Sequence, residues 1–189
     1  MMKSSDEEAQ VVELLRLKKY ESAALVLQPM AEKENPYALL SLGWLYDSGY
    51  LGKKDIALAK FYYQKAADLG IGAGCFELAR LLYDESDFYA SRIIFAKGVE
   101  TGNIQCLAWY GAMMADGEGG VVDHKNAYVV LKAAADRGQL LAKRKLLSIE
   151  LNSTNSIFQR FVLHAKIFLL SLVTVYDTLR DPYSDRGYR

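Results

Sequence analysis

An all-α fold of stacked helical hairpins is predicted by three observations on this 189-residue chain. First, a phrase recurs. Ala38-x3-Leu42-Gly43-x2-Tyr46-x2-Gly49 continues through Asp55, Ala59, Tyr62 and Ala66-Ala67 to Gly70. It returns as Cys106-x3-Tyr110-Gly111-x2-Met114-x2-Gly117, then Asp123, Ala127, Val130, Ala134-Ala135 and Gly138, with a looser copy between (Gly74, Leu78-Ala79, Leu82, Ser91, Ile94, Gly98, Gly102). Second, the period is regular. Aligned on the Leu-Gly position, Val11, Gly43, Ala79, Gly111 and Leu147 are spaced by 32, 36, 32 and 36 residues. A period of that size marks stacked helix pairs, which offer a surface more often than an active site. Third, 51% of residues are hydrophobic and only three are proline, a balance that suits packed helices and argues against disorder.

Each element has a physical reason. Long and short units alternate. The long ones carry a loop with Gly49 and Gly52, or with Gly117, Gly119 and Gly120; the short ones turn tightly at Lys18-Lys19-Tyr20 and Asp84-Glu85-Ser86-Asp87. That alternation suggests duplication of a two-hairpin block. Ala23, Ala59, Ser91 and Ala127 recur at one site of each second helix, where a small side chain lets two helices approach. Met30-Ala31, Ala66-Ala67, Gly98-Val99 and Ala134-Ala135 end those helices, and Gly70, Gly102 and Gly138 follow three of them as stops. Leu42, Leu78, Tyr110 and Leu146 share a register of the first helices and are expected in the core, while Asp55 and Asp123 are placed to cap second helices.

The pattern A-x3-LG-x2-Y-x2-G … D-x3-A-x2-(W/Y)-x3-AA-x2-G resembles the Sel-one-like repeat (SLR) family, a relative of the tetratricopeptide repeats. Residues 35–70 and 103–138 match well, 71–102 loosely and without the glycine loop, and 8–34 in outline; 139–151 reads as a lone capping helix. The resemblance covers about residues 8–151. It implies a right-handed α-solenoid of about four helical hairpins, here followed by a C-terminal apolar helix. It also implies an adaptor in a multiprotein assembly; bacterial members often accompany envelope, polysaccharide or secretion machinery. The family shares no catalytic residue, so none is carried over.

Charge and cysteine content narrow the class. Lys plus Arg equals Asp plus Glu, 23 against 23, which removes the electrostatic case for a dedicated nucleic-acid binder. Lys143-Arg144-Lys145 reads as a solvated face. Cys75 and Cys106 are expected as buried thiols, since nothing suggests an oxidising compartment. The opening Met-Met-Lys-Ser-Ser-Asp-Glu-Glu has no apolar core of a signal peptide and no lipidation cysteine, so a cytoplasmic start is expected.

No catalytic or metal constellation can be assembled. His124 and His164 each lack a second ligand at metal spacing and are expected at the surface or in packing. Gly117-Glu-Gly-Gly120 lacks the Lys-Ser/Thr ending and preceding strand of a phosphate loop. An enzyme is therefore not expected, nor a cofactor.

Aromatic residues off the repeat core point to a partner. Tyr37, Ser41 and Trp44 share a face of one first helix; Glu77 and Arg80 occupy the equivalent sites one unit on, followed by Trp109 and the neighbouring Met113. In helical-hairpin solenoids the first helices line the concave wall, so these residues would form a mixed aromatic and charged groove for a peptide or helix. The alternative is that they are partly buried against neighbouring helices.

The chain divides, on this reading, into a repeat domain, 8–151, and a C-terminal hydrophobic helix with a polar tail, 152–189. Asn152 to Ser156 is a polar break, and Asp181-Pro182 is expected to end the helix that follows. Its second half is apolar nearly all round, with Ile167, Phe168, Leu169, Leu170, Leu172, Val173, Val175 and Tyr176 interrupted only by Ser171 and Thr174. These ten positions fall well short of the roughly 20 that a span needs. Arg160 and Lys166 precede them and Arg180, Arg186 and Arg189 follow, which favours both ends on the cytoplasmic side. The helix either caps its own solenoid or docks, through Phe161 and the apolar run, at a membrane surface or on an integral membrane protein. The expected function is a non-enzymatic adaptor, bound to a protein partner through the solenoid and held at the cytoplasmic face of a membrane complex by this helix. The alternative is a soluble regulatory or structural subunit whose last helix is only a cap.

Overall fold

A computed structural model describes residues 4–180. Among the described residues the only regular elements are ten α-helices: α1 (Ser4–Arg16), α2 (Tyr20–Glu32), α3 (Pro36–Ser48), α4 (Ile56–Asp68), α5 (Gly72–Asp84), α6 (Phe88–Glu100), α7 (Ile104–Asp116), α8 (His124–Asp136), α9 (Leu140–Ser153) and α10 (Ile157–Arg180). Each of α1 to α8 spans 13 residues, so each is about 20 Å long. The stop expected at Asp181-Pro182, the basic Arg186 and Arg189, and the opening Met1 to Lys3 lie outside the described residues.

Equal lengths follow from repeated start and stop chemistry. Asp55 and Asp123 accept a hydrogen bond from the amides of Leu58 and Asn126, as expected of caps, and Asp87 does the same for Ala90. The first helices α3 and α7 use asparagine instead: Asn35 accepts from the Ala38 amide at 3.0 Å and Asn103 from the Cys106 amide at 2.9 Å. Each such bond satisfies an amide that the helix itself cannot. At the other end the backbone turns left-handed. Gly70, Gly102 and Gly138 do so at φ +76°, +81° and +95°, and Glu34 holds the equivalent place in the first copy at φ +57°. The tight turns of the short units rest on Lys18 and Ser86 at φ +56° and +65°.

The chain forms two compact units, Met1–Ser86 and Asp87–Arg189. In the first, α1 to α5 pack each against the next. Its core holds Val11, Ala23, Leu27, Met30, Leu39, Leu42, Leu45 and Ala66. In the second, α6 to α10 do likewise, and α7 also meets α9. Small clusters there centre on Ala108, Leu131, Ala134 and Ala142, and on Met114, Ala115 and Ala127. The recurrent small residues Ala23, Ala59, Ser91 and Ala127 are all fully buried. Of the expected first-helix core row, Leu42 and Leu78 are buried, whereas Tyr110 and Leu146 are half-buried and border the clusters of the second unit. Both cysteines are buried thiols. The division anticipated after Leu151 falls within the second unit, where α10 packs on α9.

Candidate interaction surfaces

The proposed groove residues are placed by the first helices. In the first unit, Tyr37, Ser41 and Trp44 lie half-buried along α3. The Tyr37 hydroxyl hydrogen-bonds the Ser41 side chain, and burial pushes its pKa above the ordinary tyrosine range. Trp44 is held by two tyrosines that the sequence pattern did not single out. Tyr20 and Tyr50 stack with ring centroids 4.3 Å apart, and Trp44 leans on both at 6.4 and 5.1 Å. Contacts of this kind contribute about 0.5–1.5 kcal/mol each beyond their area. Tyr50 was findable: it follows Gly49, the left-handed residue capping α3, a place where an apolar side chain commonly folds back onto the helix.

One helix on, Glu77 is buried, 8% exposed, and Arg80 is half-buried. Arg80 donates to Glu77 at 2.9 Å, to Asp47 of α3 at 2.5 Å and to Asp84 at 3.1 Å. Burial opposes its charge, but Glu77 and Asp47 outweigh burial and raise its pKa above the usual guanidinium value. One guanidinium thus joins α3 to α5 and leaves three carboxylates around a single cation. Tyr37, Trp44 and this ion cluster are therefore engaged inside the unit, with only their outer edges open to a partner. Asp47, the link between the two helices, lies 33 residues from Arg80 and no local spacing signals it.

In the second unit, Trp109 stacks on Phe95 at 5.6 Å and is half-buried. Met113 is completely buried and accepts from the Ser91 hydroxyl across 4.0 Å. It fills the small-residue site of α6, so in this conformation it meets no partner. The loop after α7 is tied down by Arg92, which donates to the carbonyls of Glu118 and Val121 at 3.3 Å. That accounts for the glycine-rich stretch 117–120 as a packed turn: a Cβ on Gly120 would stand 2.6 Å from the Arg92 guanidinium. His124 and His164 are exposed, and among the described residues no group of three or more His, Cys, Asp or Glu is arranged to hold a metal.

The C-terminal helix has two unlike sides. Leu163 is buried, and Val162, Ile167, Leu170 and Ser171 are half-buried where α10 packs on α9. Phe158, Phe161, Phe168, Leu169, Leu172, Val173, Val175 and Tyr176 are exposed, Phe161 at 72% and Phe168 at 63%. At 100° per residue, positions 158, 161, 165, 168, 169, 172, 173 and 176 fall on one side of the helix, so the exposed apolar groups form a stripe. Of the expected docking set, Phe161, Phe168, Leu169, Leu172, Val173 and Tyr176 belong to the stripe, while Ile167 and Leu170 face towards α9. No helix among the described residues is long and apolar enough to cross a membrane.

No family model and no curated protein matches the chain in sequence. Solved structures are similar in fold. A Sel1 repeat protein from Oxalobacter formigenes is 26% identical with a TM-score of 0.66, the match covering 74% of this chain and 59% of that one. A protective antigen present in uropathogenic Escherichia coli strains, displaying an SLR fold, is 18% identical over 87% of this chain and 45% of its own, at a TM-score of 0.41, too low to indicate more. This chain thus spans less than two thirds of either relative. The class defined by fold and comparison is an all-α solenoid of short helical hairpins. Within that class, the likeness supports the Sel1-like repeat family. A fold of this kind suggests a scaffold for protein–protein interaction.

Proposed function

We propose that the protein is a non-catalytic bacterial adaptor that works at the cytoplasmic face of a membrane complex. Its first helices present the edges of Tyr37, Trp44 and the Arg80 carboxylate cluster, with Trp109 further along the chain, to a protein partner. Its last helix holds the assembly at the membrane side. The observation that carries this reading is the two-sided α10: Leu163 and its neighbours secure it to α9, while a stripe of four aromatic and several aliphatic side chains is left outward. Exposed apolar stripes of that length mark binding faces in folded proteins.

A photo-crosslinking residue at Leu172 and another at Trp44, introduced separately into the protein in cells, test both surfaces. The Trp44 probe is expected to capture a defined protein partner, and the Leu172 probe a protein or lipid adduct in the membrane fraction. Absence of any adduct at Leu172 above that of a probe at exposed Gln64 of α4 would remove the docking role.

A second reading has its own support. Leu163, Ile167 and Leu170 cover the outer side of α9, as a terminal cap would. Deleting residues 157–189 separates the two. A pure cap leaves the shortened chain markedly less stable and the full chain wholly in the soluble fraction.

A further inference from the structure

We infer that the outward stripe of α10 lies on an anionic lipid surface, with the helix flat in the interface rather than across it. This rests on the reading of α10 as the membrane-side element and names what that element touches.

The outward side carries Phe158, Phe161, Phe168 and Tyr176, alternating with Leu169, Leu172 and Val173. Aromatic and aliphatic side chains in this mixture suit the boundary between head groups and acyl chains. The stripe is available while α10 stays docked: within its arc only Val162 is half-buried, whereas Leu163, Ile167 and Leu170 lie on the other side of the helix. A helix of 24 residues is about 36 Å long, so it can lie along a bilayer with its whole stripe immersed.

Charge selects the partner. From Ile157 to Tyr176 the chain has no Asp or Glu, but it has Arg160, His164 and Lys166, all exposed. On the helical wheel Lys166 borders the stripe on one side and His164 on the other, with Arg160 beyond it. Long basic side chains at such borders reach the phosphate level while their stems stay with the apolar groups. A second copy of α10 answers this less well: the helix has one carboxylate, Asp177, against Arg160, Lys166 and Arg180, so two copies paired stripe to stripe bring together an excess of positive charge. Anionic phospholipid supplies the negative charge that balances it.

The test uses the purified full chain in flotation with vesicles of phosphatidylcholine, alone or with phosphatidylglycerol. Binding to the anionic vesicles is expected to exceed binding to neutral ones by about tenfold or more, and to weaken with salt. Phe168→Glu and Leu172→Glu, both at exposed positions, should abolish flotation with unchanged circular dichroism and melting. Lys166→Glu should lower it by about tenfold while keeping the fold. The inference is overturned if the full chain does not float with anionic vesicles, or floats equally with neutral ones. It is also overturned if Phe168→Glu instead lowers a concentration-dependent molecular mass, which would assign the stripe to a second copy. A Leu172 cross-link to a membrane protein that persists without vesicle binding would sink the lipid contact and leave the adaptor reading standing.

Discussion

Replacing the glycine at the repeat's Leu-Gly position by alanine should act unequally in the two best-matched copies. Alanine is favoured over glycine inside a helix by about 1 kcal/mol, so both changes begin with the same gain. The neighbours differ. A Cβ on Gly43 would lie 2.5, 2.7 and 2.9 Å from Cε1, Cδ1 and Cζ of Tyr63. Tyr63 is 1% exposed, its ring wedged between α3 and α4, so it has nowhere to swing. An overlap of that size on a locked ring belongs at the upper end of the roughly 1–3 kcal/mol cost of overpacking. The net effect is a loss of about 2 kcal/mol. A Cβ on Gly111 would stand 2.9 Å from Leu131 Cγ and 3.1 Å from Leu131 Cδ2 and Val130 Cγ1, aliphatic atoms that can shift by rotamer. There cost and gain nearly cancel, leaving a change under about 1 kcal/mol. The chain has two tryptophans, Trp44 in the first unit and Trp109 in the second. Urea unfolding followed by Trp44 in a Trp109→Phe background reports Gly43→Ala, and the converse background reports Gly111→Ala. A Gly43→Ala protein as stable as its parent would refute the ring-on-backbone packing of α3 against α4.

Glu34→Gly should raise the stability of the first unit by about 1 kcal/mol, because the left-handed backbone there strains a side chain that its three counterparts lack; thermal melting reads it. Arg80→Met leaves the buried Glu77 and its neighbour Asp47 without their cation and should cost about 2 kcal/mol, less than a fully buried pair would because the group is partly solvated. Urea titration checks it, and double substitution with Glu77→Gln should recover part of the loss. Asp123 has its pKa held below the ordinary carboxylate value, first by the Asn126 amide. The cap's stabilisation is therefore complete above the ordinary carboxylate range and fades as pH falls through the depressed value. Amide chemical shifts in the first turn of α8 should follow that acid-side transition, and Asp123→Ala should abolish it.

The repeat was legible because its demands are local. Asp55, Asp123, Gly70, Gly102 and Gly138 each act on backbone within a turn of themselves, so their spacing sets the helix ends. Ala23, Ala59, Ser91 and Ala127 were readable for a related reason: close approach of two helices excludes bulk at one register. The surfaces were less legible. Helical periodicity groups Tyr37, Ser41 and Trp44 on one face, but it could not show that Tyr20 and Tyr50 fold over Trp44, nor that Asp47 claims Arg80. Those partners come from other helices and turns. Met113 sits one residue from Ala112, the true equivalent of Arg80 in that copy, and a shift of one residue turns a helix position by 100°; it lies in the core accordingly. In α10 the apolar run reads as featureless, and only the docking on α9 distinguishes Ile167 and Leu170 from Phe168 and Leu172.

Two-sidedness of that last helix is most directly measured by single-cysteine labelling along α10 in the dilute full-length protein, where the native Cys75 and Cys106 are buried thiols. Cysteines at Phe161, Phe168 and Leu172 should react with a water-soluble maleimide near the rate of a model peptide, and those at Leu163 and Leu170 far more slowly. Fast reaction at all five sites, or protection of Phe168 and Leu172 together, would contradict an α9-docked helix with its apolar stripe turned outward.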